Sequence, residues 1–184
     1  MDHVIFACFS KKTYYYSTMK KGILIFAAVI GFQLVNAQTY TLHPLYIYSF
    51  TRYVQWPDTY NQGDFEILVL GDSPIVDELN KMAQVKKVGD RPIKVSKIAG
   101  LANVKKCNIL FVPAKRSADL PDILSKVGNQ SILVITEEPG LGLRGSDINF
   151  IVKDGKLAFE LNQSAMNKQS LKVSNELTRL AIQI

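Results

Sequence analysis

Phe65-Glu66-Ile67-Leu68-Val69-Leu70-Gly71-Asp72-Ser73-Pro74-Ile75-Val76-Asp77-Glu78-Leu79-Asn80-Lys81-Met82 is the stretch that decides the fold. Its first six residues are an apolar run interrupted by Glu66, its middle is a turn, and Ile75, Leu79 and Met82 recur at helical spacing. Ser73 or Asp72 is placed to cap the helix, with Pro74 near the first helical position, where a missing N–H leaves no bond unmade. The same alternation continues downstream. Residues 91–95 predict a strand, 98–104 a short helix or turn, and 107–112 a buried strand. A helix over 117–127 carries Leu120, Ile123, Leu124 and Val127 on one side and stops at Gly128, and 131–136 is another apolar strand. Strands separated by helical segments need crossover connections and therefore pair in parallel. The expected fold is α/β: a single three-layer α/β/α-type domain with a mostly parallel sheet.

The pattern changes at Asp147. Residues 148–153 and 156–161 flank Asp154-Gly155, and Asp-Gly between alternating runs predicts a two-residue hairpin. That loop sets Lys153 opposite Lys156, Val152 opposite Leu157, Phe150 opposite Phe159 and Ile148 opposite Leu161, an apolar face throughout. The other face pairs Ile151 with Ala158 and Asn149 with Glu160, a polar pair that burial would oblige to hydrogen-bond. Asn149 and Glu160 are accordingly expected to be structural, Glu160 by holding backbone of the hairpin or the last helix. Asn162 follows as the N-cap of a terminal helix with Leu171, Val173, Leu177, Leu180 and Ala181 as its apolar stripe.

Upstream, residues 44–56 carry Tyr46, Phe50, Tyr53 and Val54 on one helical face, with Pro44 in the first turn and Pro57 as the stop. Helical geometry cannot turn every aromatic of this segment inward. Tyr48 projects away from that face and Trp56 sits at the exit, so an ordinary core with an amphipathic rim competes with an exposed aromatic patch for a partner or aromatic ligand. Before it, Met19-Lys20-Lys21 and the apolar run 22–35 form the charged and apolar regions of a secretory leader, with Val35-Asn36-Ala37 ahead of the cleavage point. The run is too short for a spanning helix and contains Gln33. The expected organisation is a leader over 1–37, of which 1–18 read as an upstream mis-start ahead of Met19, and one domain over 38–184. Export to the periplasm follows.

Loss of Lys11, Lys12, Lys20, Lys21 and Asp2 with the leader lowers the formal charge from +6 to +3. The remaining cations are scattered among acidic residues, with doublets only at Lys86-Lys87 and Lys105-Lys106, so nucleic-acid binding is not expected. Cys8 leaves too, and Cys107 alone cannot form an intramolecular disulfide; its position at the head of an apolar strand favours burial. His43 is the single histidine of the mature chain and lies at a helix start, where a surface or capping role is the ordinary one. Triads, Cys/His dyads and clustered His/Cys zinc sites therefore lack their parts, and neither a catalytic centre, a metal nor a cofactor is expected.

Gly140-Leu141-Gly142-Leu143-Arg144-Gly145 spells G-x-G-x-x-G, but it leads into the hairpin instead of a helix that could hold a pyrophosphate, so its glycines serve a turn. Glu137 and Glu138 are adjacent on an extended chain and point apart, which argues against a carboxylate pair. The strand ending at Val112 carries no aspartate for phosphorylation.

Tyr46-Ile47-Tyr48-Ser49-Phe50-Thr51-Arg52-Tyr53-Val54-Gln55-Trp56-Pro57 resembles the opening motif of the YfiR (DUF4154) family. The likeness continues through residues 65–74, 107–112, 148–150 and 155–162, then Leu171-Lys172-Val173-Ser174, Leu177 and Leu180-Ala181, across essentially the whole mature chain. The resemblance implies a compact periplasmic α/β/α-type domain, frequently a homodimer, without catalytic residues. It further implies a regulator that binds the periplasmic domain of a membrane-anchored sensor such as a diguanylate cyclase, lowering cyclic di-GMP and biofilm formation. Relatives that sense redox state do so through extra cysteines, and here Cys107 stands alone. The candidate partner or ligand residues are Tyr48, Tyr53, Trp56 and Arg144. A periplasmic small-molecule binder is the alternative, using strand ends near Gly71-Asp72 or the loop 138–145, with Arg144 anchoring an anion.

Overall fold

The computed structural model describes residues 40–184; the leader and upstream start expected over 1–37 lie outside them. Helix α1 occupies 40–53 and runs into strand β1 (Val54–Gln55). There follow β2 (Phe65–Leu70), α2 (Ile75–Val85), β3 (Lys87–Val88), β4 (Arg91–Ile98), β5 (Ile109–Val112), α3 (Leu120–Val127) and β6 (Leu133–Thr136). The chain ends with β7 (Ile148–Lys153), β8 (Lys156–Leu161), α4 (Gln163–Lys168), β9 (Lys172–Val173), α5 (Asn175–Leu180) and β10 (Ile182–Gln183).

Eight strands form one sheet in the order β10-β8-β7-β6-β5-β2-β4-β3, parallel except at β7/β8 and β3/β4. Strand periodicity builds two apolar layers, because successive side chains leave opposite faces. Phe65, Ile67, Val69, Ile109, Phe111, Leu133 and Ile135 pack with Ile47 and Phe50 of α1 and with Ile75, Leu79 and Met82 of α2. Leu68, Leu70, Leu110, Val112 and Val134 pack with Leu120, Ile123 and Val127 of α3. Burial of the central strands on both faces explains why their sequence is continuously apolar, and the three-layer α/β/α architecture follows.

Local signals place most elements. Ser73 Oγ lies 3.4 Å from the Ile75 amide, while Pro74 already has helical dihedrals. Gly128 closes α3 at φ +54° and ψ −123°, a positive-φ conformation that glycine adopts without a Cβ clash. The hairpin register is Lys153–Lys156, Val152–Leu157, Ile151–Ala158, Phe150–Phe159, Asn149–Glu160 and Ile148–Leu161. Asp154 and Gly155 both have positive φ, as a type I′ turn requires.

Three local expectations are corrected. Helix α1 includes residues before Pro44, whose ring sits in the second turn of the described stretch. The segment 117–127 is helical in two modes, a 3-10 stretch over Ala114–Asp119 leading into α3. The terminal helix is not one helix: Asn162 caps α4, Ser170 turns the chain at φ +59°, Val173 pairs with Val54 in a small two-stranded sheet, and Ser174 caps α5. Leu171, Val173 and Leu177 reach the core from three different elements, which is why their spacing imitates a helical stripe.

Trp56 is likewise corrected from rim to core. It is 8% exposed, its ring stands perpendicular to Phe65 at a centroid distance of 5.2 Å, and its Nε1 donates to the Asn108 carbonyl at 3.2 Å. The antiparallel pairing of β1 with β9 redirects the chain at the end of α1 and turns the indole inward. Trp56→Ala is therefore expected to cost about 3–5 kcal/mol in urea unfolding, mainly through lost burial, since the Asn108 carbonyl keeps its bond from the Leu133 amide.

Candidate functional site

A groove and a buried polar cluster flank α1. The first is a groove of about 450 Å³ between α1, strand β8 and helix α5. Tyr46, Ser49, Phe50 and Tyr53 contribute from α1, Leu157, Ala158 and Phe159 from β8, and Leu177 and Leu180 from α5. The α1 residues fall at intervals of three and four, so they share one face over the sheet. The floor is rigid: Phe50 lies 5.0 Å from Phe159 and 5.8 Å from Phe150 between ring centroids, and the Tyr46 hydroxyl donates to the Leu157 carbonyl at 3.2 Å. The rim is not covered. Leu180 is 70% exposed and Tyr53 half-buried, an arrangement suited to apolar or aromatic groups and carrying no obvious nucleophile or proton-transfer pair.

The second lies at the carboxyl ends of the parallel strands. Glu137, just past β6, has only 8% of its side chain exposed and accepts from the Tyr40 hydroxyl at 2.8 Å and from the Ala114 amide at 3.0 Å. His43 Nε2 stands 3.8 Å from the other carboxylate oxygen, and its ring packs on Phe150 at 4.4 Å. Burial pushes the Glu137 carboxyl up against the pull of the two donors. Burial, and then the neighbouring Glu137 charge, raises Tyr40 to about 12, so the phenol stays a neutral donor. His43, expected at the surface or as a cap, is 2% exposed. The side chain that buries it, Phe150, comes from the distant hairpin, and no local signal reports that.

Of the residues singled out in the sequence, Tyr53 alone lines the groove. Tyr48 points to the sheet edge, its hydroxyl donating to the Lys87 carbonyl at 3.3 Å with Lys86 Nζ 5.4 Å from the ring. Arg144 is exposed in the loop between β6 and β7, beside Leu143 at 78% exposure. The structure does not bring Tyr48, Trp56 and Arg144 together. Tyr46, Leu157, Phe159 and Leu180 were not singled out for the site, since the groove exists only once the hairpin and the split C-terminal segment pack against α1.

Asn149, Glu160 and Asn162 belong to a polar seam beneath the glycine-rich loop. Asn149 Nδ2 donates to Glu160 Oε2 at 2.8 Å, and Asn149 Oδ1 lies 2.7 Å from Thr136 Oγ1, itself 2.9 Å from Ser146 Oγ. Asn162 accepts from the Ala165 amide at 2.9 Å and donates to the Gly142 carbonyl at 3.0 Å. A Cβ on Gly142 would meet the ends of the Ile184 and Glu160 side chains, the latter at 2.7 Å, so this glycine of the G-x-G-x-x-G string lies in a packed turn between β6 and β7. Cys107 is buried, and desolvation raises its thiol to about 12, far from a reactive thiolate. Among the described residues, no three His, Cys, Asp or Glu side chains are grouped to hold a metal ion.

Asp147 sits in the same seam, fully buried. Its Oδ2 accepts from the Val134 amide at 2.7 Å and, with the Gln169 amide turned to donate, from Gln169 at 3.0 Å; Oδ1 has no hydrogen-bond partner among the described residues. Desolvation lifts this carboxyl to about 8. A raised folded-state value means the native protein holds a proton that the unfolded chain has released, so this group's contribution falls as pH rises from about 4 to about 8. Asp147→Asn keeps an acceptor for Val134 and removes the ionisation. Relative to the wild type, the variant should gain about 1–3 kcal/mol between acidic and mildly alkaline pH, followed by urea unfolding across that range.

The fold and these features define a class: a doubly wound α/β domain with an aromatic groove over its hairpin and a buried polar cluster at its strand ends. The family model described as DUF4154, YfiR/HmsC-like, matches residues 40–182, and the chain belongs to that family. No curated protein matches the chain significantly. Among the described residues, no helix is long and apolar enough to cross a membrane.

Proposed function

We propose that this chain is a non-catalytic regulatory protein, exported behind a leader over 1–37, that restrains a membrane-bound signalling protein in the periplasm. The aromatic groove between α1, β8 and α5 carries the reading. It joins a rigid floor of Phe50 and Phe159 to an uncovered rim at Tyr53 and Leu180, the form of a site that receives apolar side chains from a partner. Membership of the YfiR/HmsC-like family supports a signalling partner. A diguanylate cyclase with a periplasmic sensor domain is the target we favour, its restraint lowering cyclic di-GMP.

Leu180→Asp and Tyr53→Ala change exposed or half-buried side chains and should leave the fold intact. Each is expected to weaken capture of the target from detergent-solubilised membranes about tenfold or more, as truncation of an interface anchor does. In cells, loss of the chain should raise cyclic di-GMP, and wild type but not Leu180→Asp should lower it again. Unchanged cyclic di-GMP on loss of the chain would remove the cyclase, and normal capture by both variants would remove the groove.

A further inference from the structure

The strand order contains a topological switch point with three cations around it, two of them ion-paired. Strand β2 pairs with β4 on one side and β5 on the other, all parallel, although the chain visits them in the order β2, β4, β5. Helix α2, which follows β2, covers one face of the sheet; α3, which follows β5, covers the other. The two connections diverge at the carboxyl ends of β2 and β5 and leave a crevice there, the position at which open α/β sheets bind ligands. A cleft of about 490 Å³ occupies this end of the sheet, within the range of small-molecule sites.

Three cations line it: Lys97 from the end of β4, and Lys115 and Arg116 from the turn after β5. Arg116 is held in place. Its Nε and Nη2 both reach Asp119 Oδ2 at 2.6 Å, and Nη1 donates to the Ala99 carbonyl at 3.2 Å, which uses three of the five guanidinium N–H groups. Gly71, at φ +78°, leaves the space over which the arginine stem lies, 3.4 Å from where a Cβ would stand. Lys97 is engaged by Asp72 Oδ1 at 2.5 Å, but Asp72 is 91% exposed, so water screens the pair and an incoming anion can replace the carboxylate.

We propose that this crevice binds a small oligoanion, bearing phosphate or carboxylate groups, on Arg116, Lys97 and Lys115, with Asp72 as its internal competitor. The fixed guanidinium supplies directional donors and the two lysines supply mobile charge. The site is distinct from the groove, and its occupancy does not depend on which partner the groove takes.

Pyrophosphate and citrate are the probes, titrated separately into the isotope-labelled protein at physiological ionic strength and followed through amide shifts and calorimetry. Saturable shifts of Gly71, Asp72 and the amides of residues 114–116 are expected with at least one probe. Pyrophosphate alone would assign a phosphate-bearing ligand and citrate alone a carboxylate-bearing one. Lys97→Gln and Arg116→Gln should each weaken binding about tenfold. Asp72→Asn should tighten it roughly twofold to fivefold by freeing Lys97, and Lys153→Gln, exposed at the end of β7, should leave it unchanged. Since Arg116→Gln also breaks the Asp119 contact, the exposed Lys97→Gln decides if the former misfolds. Saturation by neither probe, or affinity unaltered by Lys97→Gln, overturns the site.

Discussion

Phe150 lies directly opposite Phe159, and most of the groove side of the protein depends on that register. The two rings give α1 its seat: Phe50 contacts both, Tyr46 approaches both at about 6 Å, and His43 packs on Phe150. These α1 residues recur at intervals of three and four, so one helical face meets one hairpin face. A slip of one residue would send Phe150 and Phe159 to the opposite face and replace the seat with Asn149 and Glu160. The hairpin thus separates two chemistries, an aromatic floor for the groove and a polar seam beneath the glycine-rich loop.

This register was legible in the sequence because its determinants are local. Asp154-Gly155 fixes the turn, and alternation on both arms fixes which side faces inward. The central strands were legible for a related reason, since burial on both faces leaves an unbroken apolar run. What failed to show were features decided by distant partners. His43 is buried by Phe150, Trp56 is turned inward by pairing of β1 with β9, and the C-terminal segment breaks into α4, β9 and α5 because Val173 finds Val54. Leu171, Val173 and Leu177 keep a helix-like spacing without sharing a helix. Spacing reports which residues seek the core, not the element that carries them there.

The groove and the crevice differ in how each could be foreseen. Aromatic residues were conspicuous in the segment that became α1, yet packing divided them among the groove, the β3 edge and the core, leaving Tyr53 as the one singled-out residue in the groove. The crevice had no motif. The one literal nucleotide signature, at 140–145, falls between β6 and β7, where Gly142 is crowded by Glu160 and no helix follows. The cations at the switch point come from the end of β4 and the turn after β5, and meet only because β4 and β5 flank β2.

Helix α1 connects the two regions physically. Its beginning is tied by Tyr40 to Glu137, beside the crevice, and its later turns carry Tyr46, Phe50 and Tyr53 into the groove. Tyr53 lies thirteen positions beyond Tyr40, about 20 Å along a helix axis. Both ends are held by buried contacts, a carboxylate–phenol bond at one and an aromatic cluster at the other. An element fixed in this way moves as a unit or not at all, because packed interiors resist gradual deformation. The Glu137 anchor combines a desolvated carboxyl with a phenol that remains protonated, so its strength rests on hydrogen-bond geometry more than on free charge. The position of the groove wall is therefore set partly at the strand ends, where Ala114 and Glu137 meet the first turn of the helix.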